Sequence, residues 1–167
     1  MARLTKLIYT VSKSRLLCAA PYYLEQYGTP QHPHDLTSHN GLFYQRYEMT
    51  HNLWKFTDKQ NNSKKTDNKN YKIKMSGNRV SNDSDLVRRW CVAGKGLAIK
   101  SCLNMSADLF AGNIVTVLPQ YQPKPSELLI VCPSRQSITP AVRLLRDMLK
   151  IKSKEVLQKL TDKGFID

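Results

Sequence analysis

Short apolar runs alternate along this chain with short helical patterns, most of them closed by a proline or a glycine. No other feature restricts the fold as much. Residues 15–20 (RLLCAA) read as a buried strand that Pro21 stops, and Pro21 then opens a brief helix closed by Gly28. Residues 41–44 and 53–56 read as further strands, the second with aromatics on alternate positions, and Asp35-Leu36 as a single helical turn. Tyr71, Ile73 and Met75 alternate with Lys72, Lys74 and Ser76, the two-residue period of a half-exposed strand. The clearest helix starts at Asn82, with Asn82 as cap, Asp83 and Asp85 in the first turn and Gly94 at its end. Leu86, Val87, Trp90 and Ala93 are expected on its buried face, with Arg88 and Arg89 outward.

A strand at residues 97–99, a helix at 104–111, a strand at 114–118 and a strand at 127–132 (ELLIVC) follow. Thr139-Pro140 starts the last firm helix, with Val142, Leu145, Met148 and Leu149 as its apolar stripe, and residues 153–157 suggest one more. Strands alternating with helices predict an α/β fold with a mixed, mainly parallel sheet.

Composition narrows the function. The 167 residues carry 26 Lys+Arg against 13 Asp+Glu, a formal net charge of +13, which fits polyanion binding or a well-solvated surface. Eight basic residues face two acids between Lys55 and Arg79, the densest positive stretch. Aromatic and basic residues interleave at Tyr44–Tyr47, Trp54–Phe56 and Tyr71-Lys72, as in a nucleic-acid surface or an amphipathic strand with a lysine-bearing wet face. Cys18, Cys91, Cys102 and Cys132 sit far apart in apolar runs, the pattern of buried reduced thiols. No apolar run is long enough to span a membrane, and the basic N-terminus is too broken by polar residues for a signal peptide, so a cytoplasmic address is expected.

Catalytic signatures are weak. His32-Pro33-His34-Asp35 is a local set of metal-ligand types, but it falls short of a four-ligand zinc spacing and reads as a surface loop. Gly94-Lys95-Gly96 follows a helix and precedes a strand, the reverse of a phosphate loop. Asp83 and Asp85 read as dipole-stabilising acids. No Gly-x-Ser-x-Gly elbow occurs, so an enzyme is not expected, and neither metal nor cofactor is called for. Ser81, Asn82 and Asp83 present a helix start directly after a strand, a place suited to a small anion.

The pieces RLLCAAPYYLEQYGTPQHPHDLTSHNGLFY, WKF, VSNDSDLVRRWCVAGKGLAI, DLFAGNIVTVLPQYQP and PSRQSITPAVRLLRDML, in this order, resemble the C-terminal effector-binding region of LysR-type transcriptional regulators. The resemblance implies a periplasmic-binding-protein-like fold (type 2) of two α/β lobes with an effector held between them. It divides the chain into an N-terminal remnant or linker (1–14), a second lobe (15–126), a segment returning to the first lobe (127–151) and a basic tail (152–167). It also implies that the DNA-reading helix-turn-helix and most of the first lobe are missing, and that DNA is reached only through that N-terminal part. The apolar faces of ELLIVC and the last helix would then lack neighbours, so self-association is expected.

Carried over residue by residue, the resemblance points to Tyr44, Gln45 and Arg46 after one strand and to Ser81, Asn82 and Asp83 at a helix start. Arg46 is the natural partner of a carboxylate. Lys100-Ser101 stands where many members have Leu-Pro, which makes Lys100 a second candidate anion contact and Ser101 its neighbour. The expected ligand is a small anionic metabolite, bound weakly or not at all by this chain alone. The competing readings are a small basic nucleic-acid-binding protein that uses the stretch from Lys55 to Arg79, and a truncated gene product without function.

Overall fold

The computed structural model describes residues 5–8, 15–46, 49–50, 52–59, 70–126 and 129–166. In chain order the first half holds β1 (Thr5–Ile8), β2 (Arg15–Ala19), α1 (Pro21–Tyr27), a 3-10 turn (Pro33–Ser38), β3 (Leu42–Arg46), β4 (Met49–Thr50), β5 (Leu53–Asp58) and β6 (Asn70–Lys74). The second half holds β7 (Arg79–Ser81), α2 (Ser84–Val92), β8 (Ala98–Ser101), α3 (Cys102–Ala111), β9 (Val115–Thr116), β10 (Tyr121–Pro123), β11 (Leu129–Cys132) and α4 (Pro140–Asp162). These elements form two compact units, one from Arg15 to Lys124 and the other joining Met1–Ser14 to Pro125–Asp167.

In the larger unit β2 lies antiparallel between β8 and β9. β3 runs parallel to β7 and antiparallel to β4. A parallel bridge between Gly41 and Leu97, with Leu42 N–H donating to Leu97 C=O at 2.8 Å and Leu97 N–H to Asn40 C=O at 2.9 Å, links β3 to β8. A three-stranded antiparallel sheet, β10-β5-β6, completes the unit. The sheet is mixed as expected, yet most of the described ladders are antiparallel. The reason is local: β5 and β6 fold back as a hairpin, while β2 and β8 run in opposite directions. The parallel pairings gather at β3, β7 and β8.

The hairpin shows how sequence period becomes a core. Trp54 and Phe56 point inward and pair across the ladder with Ile73 and Tyr71, while Lys55 and Lys72 share the wet face. Phe56 is 1% exposed, and burying such a ring contributes about 2–3 kcal/mol. Leu17, Leu36, Phe43 and Leu97 belong to the same core cluster. Gly77 is required by close packing, because a Cβ there would lie 1.9 Å from the Gly41 carbonyl oxygen. The polar stretch 60–69 lies outside the described residues.

Several expectations need correction. The cap of α2 is Asp83 rather than Asn82: its Oδ1 accepts from the N–H groups of Asp85 (2.8 Å) and Leu86 (3.2 Å). The buried stripe of α2 is Val87 and Cys91, with Ala93 exposed. Arg88 turns inward to an acid on another helix. α3 begins at Cys102, two residues early, because Cys102 extends the buried stripe of Met105 and Leu109. β9 is only two residues long, since Leu118 adopts φ +53° ahead of Pro119 and breaks the extended run.

In the smaller unit β1 and β11 pair antiparallel, from Thr5 opposite Cys132 to Ile8 opposite Leu129. Thr139 caps α4 through a 3.3 Å bond from Val142 N–H, and the helix then runs 23 residues without the break expected near 152. Ser153 is accommodated inside the helix, its hydroxyl donating to the Leu149 carbonyl at 2.7 Å, and neither glycine nor proline follows Pro140 before Gly164. Leu157 and Leu160 are buried, whereas Leu144, Leu145, Met148, Leu149 and Ile151 are exposed.

Candidate functional site

Three strands that run in one direction deliver their carboxyl ends to one edge of the larger unit. The β3–β7 ladder places Tyr44 directly opposite Ser81. Tyr44, Gln45 and Arg46 therefore end one strand where Ser81, Asn82 and Asp83 lead from the next into α2. On β8, Lys100 lies three residues beyond the Gly41–Leu97 bridge, as Tyr44 does on β3. At the level of the backbone, all eight candidate residues belong to this edge. Carboxyl ends of parallel strands are where α/β sheets form ligand crevices.

The side chains divide the work. Tyr44 is 37% exposed and Asn82 is exposed, so both are available to a ligand. The Ser81 hydroxyl accepts the Asp83 N–H at 3.0 Å, and the Asp83 carboxylate occupies the leading amides of α2. An incoming anion thus meets a helix start already satisfied by a carboxylate. The Gln45 side chain is half-buried, and that of Arg46 lies outside the described residues. Ser101 precedes α3 as its cap residue but makes no side-chain cap bond, and its backbone pairs with Arg15.

Lys100 is 5% exposed, and its ammonium donates to the Ser84 carbonyl (2.6 Å) and hydroxyl (2.5 Å). Burial lowers its pKa from the ordinary lysine value, and the nearby Arg15 lowers it further, against an opposing pull from Asp85. Lys100 therefore ties the end of β8 to the first turn of α2. Asp85 is held below the ordinary carboxylate value, chiefly by the hydrogen bond from Arg88, with Arg89 adding to it. The second guanidinium arm of Arg88 reaches Asp108 of α3 at 2.6 Å, and Asp108 is 7% exposed.

Other chemistry-bearing groups are used structurally. The His32 ring stacks on His34 and meets Tyr71 and Tyr121 edge-on, while the Asp35 carboxylate accepts from the N–H groups of Gln31 and His32. Those two bonds lower the Asp35 pKa. Among the described residues no group of three His, Cys, Asp or Glu side chains is placed to hold a metal ion. All four cysteines are buried and unpaired, and burial pushes the Cys91 thiol up to about 12 and Cys18 well above its ordinary value. The Cys18 and Cys91 thiols are therefore protonated and poor nucleophiles.

Sequence reasoning missed two features. The Arg88–Asp108 pair bridges residues 20 apart, and its only sequence sign was an acid on the apolar face of α3 beside Leu109. Asn40, which no sequence pattern singled out, braces three segments: its side-chain amide donates to the Lys95 carbonyl (2.6 Å) and Asn78 Oδ1 (3.0 Å) and accepts from Asn78 N–H.

The architecture is similar to that of solved regulatory domains. The regulatory domain of CrgA, a LysR-type regulator from Neisseria meningitidis, matches with a TM-score of 0.69 at 23% identity, over 88% of this chain and 68% of that one. The AphB regulatory domain of Vibrio vulnificus matches with a TM-score of 0.65 at 19% identity, over 95% of this chain and 71% of that one. The fold is that of a periplasmic-binding-protein-like domain. A model of the LysR substrate binding domain matches residues 10–153, and the chain belongs to that family.

Its curated relatives are transcriptional regulators. The Escherichia coli K12 regulator DmlR is 29% identical over 136 residues, 81% of this chain and 41% of that protein. The E. coli activator TtdR is 36% identical over 107 residues, 64% of this chain and 32% of that protein. The chain thus spans less than half the length of these relatives. No helix among the described residues is long and apolar enough to cross a membrane.

Proposed function

We propose that this chain is the effector-sensing part of a cytoplasmic LysR-type regulator and not an enzyme. In this reading a small anionic metabolite meets the strand-end edge at Tyr44, Gln45, Arg46 and Asn82, with Ser101 beside them, while Ser81 and Asp83 close the start of α2 and shape the site without taking the negative group. The observation that carries the reading is the parallel register of Tyr44 with Ser81, which brings two separate sequence segments to one carboxyl edge. Arg46 supplies the bidentate partner for a carboxylate. Lys100 holds the α2 start in place through Ser84. In the intact regulator DNA is read by a separate N-terminal helix-turn-helix, and effector binding shifts the population of domain arrangements.

The test is a backbone-amide NMR titration of the 167-residue chain with acetate, succinate and benzoate. The expected result is weak, fast-exchange shifts at Tyr44–Arg46 and Ser81–Asp83, reduced several-fold by Arg46→Gln. Shifts that avoid this edge for every carboxylate overturn the reading. Shifts at Lys55, Lys72 and Lys74 on adding duplex DNA, fading steeply between low and physiological salt, would support the nucleic-acid reading instead.

Self-association belongs to the same proposal. Leu144 is 73% exposed, and Leu145, Met148 and Ile151 are about half exposed on the same helix, an aliphatic stripe that contact with a second apolar surface would stabilise. Sedimentation velocity is expected to show concentration-dependent association that Leu145→Ser weakens.

A further inference from the structure

The amino ends of the same three parallel strands border a different cavity. It has a volume of about 410 Å³ and lies between α1 and the turns that lead into β3, β7 and β8. Tyr22 and Tyr27 stand at its walls with 67% and 57% of their surface exposed. Tyr23 lies beneath them, buried, its ring 4.8 Å from that of Tyr27.

The floor is rigid. The Tyr23 hydroxyl accepts the Asn40 N–H at 3.0 Å, and the Asn40 side chain bonds both Lys95 C=O and Asn78. Gly94 has φ +67°, a left-handed conformation that favours glycine, and a Cβ there would come within 3.2 Å of the Tyr22 ring. Two cations, Arg79 and Lys95, border the cavity, and among the described residues no carboxylate lines it. Arg79 is oriented by a 2.9 Å bond to Asn78 Oδ1.

We propose that this cavity is a second ligand site, separate from the strand-end edge, that takes a small planar anion such as an aromatic carboxylate. Tyrosine faces supply stacking area for a flat ring, and the paired cations select the negative group and reject a positive one. Side-chain and backbone amides around Asn40 hold the walls without having to reorganise on binding. Because the cavity is open, the affinity is modest, with a dissociation constant on the order of 1 mM. Asn40, Asn78 and Gly94–Leu97 form the turns that start β3, β7 and β8, so occupancy here touches the strands whose far ends carry the candidate effector edge.

The test titrates the full chain with benzoate, following amide shifts and the tyrosine ring resonances. Saturable shifts at Asn78, Gly94 and Lys95 are expected, with Lys95→Gln and Tyr27→Ala each weakening binding about threefold or more. Lys124→Gln, which removes a charge elsewhere, should leave the affinity unchanged. Cyclohexanecarboxylate, equally charged but not planar, should bind more weakly, and benzylammonium not at all. The proposal is overturned if benzoate fails to saturate these resonances by about 20 mM. It is equally overturned if Lys124→Gln weakens binding as much as Lys95→Gln, or if benzylammonium binds as well as benzoate.

Discussion

The two units of this protein answer the same kind of sequence pattern in opposite ways. In the unit from Arg15 to Lys124, alternation marks Trp54, Phe56, Tyr71 and Ile73 for burial, and all four are 7% exposed or less. On α4 of the other unit, a helical period marks Leu145, Met148 and Leu149, and these are 47%, 50% and 36% exposed. Periodicity therefore reports which face of an element favours contact with apolar surface, not where the covering surface comes from. In the hairpin the cover comes from other elements of the same unit, through Leu17, Leu36, Phe43 and Leu97. On α4, the exposed stripe is a surface still able to gain from burial, which is the physical basis of the expected self-association.

The largest test of this contrast is a pair of truncations. Phe56→Ala removes a fully buried ring and is expected to cost about 3–5 kcal/mol in urea unfolding, enough to leave a marginal domain largely unfolded. Leu145→Ser on α4 is expected to change stability by about 0.5 kcal/mol or less. A Leu145→Ser cost equal to that of Phe56→Ala would show that α4 is covered in solution and would remove the contrast.

A second test asks whether the polar cross-brace within the larger unit matters as the apolar core does. Asp108→Ala leaves the Arg88 guanidinium, part-buried between α2 and α3, without its inner carboxylate. A loss of about 2–3 kcal/mol is expected. Asp85→Ala, at an exposed pair with the same arginine, should barely move the urea midpoint. If both substitutions have the same effect, Arg88 is serving the helix surface and not the junction of the two helices.

Much of this was legible in the chain. β2, β3, β5, β6 and β8 appear where the local pattern placed them, because turns and two-residue periods are decided within a few residues, whereas β1, β4 and β10 carry no such local signal and β9 is shorter than its apolar run. Asp83 displaced Asn82 as the cap by one position, since both side chains are competent and only the exact end of β7 selects between them. Arg88 was misread because the acid that draws it inward lies on another helix, at a separation no local pattern encodes. At the candidate site, the segments around Tyr44 and Ser81 were recognisable from family pattern. Their adjacency needed the parallel ladder, which periodicity cannot specify. The tyrosine-lined cavity was invisible for the same reason, with its walls contributed by α1 and three separate turns.

Lys100 offers the finest test, because it separates a ligand contact from a structural cation. Its folded pKa is lowered, mainly by burial, so between that lowered value and the ordinary 10.5 the unfolded chain binds more protons than the folded one. Its contribution to stability therefore rises with pH across that window, as the ammonium loses its proton in the fold first. At neutral pH the charge is retained at a cost, offset by the bonds to Ser84. Lys100→Met keeps the length and the apolar stem, so a change within about 1 kcal/mol of either sign is expected at neutral pH. Urea midpoints measured from neutral pH to 10.5 should rise less steeply in the variant than in the parent. Equal slopes would mean that the Lys100 ammonium is as well solvated as an ordinary surface lysine, and therefore free to meet an anion at the strand-end edge.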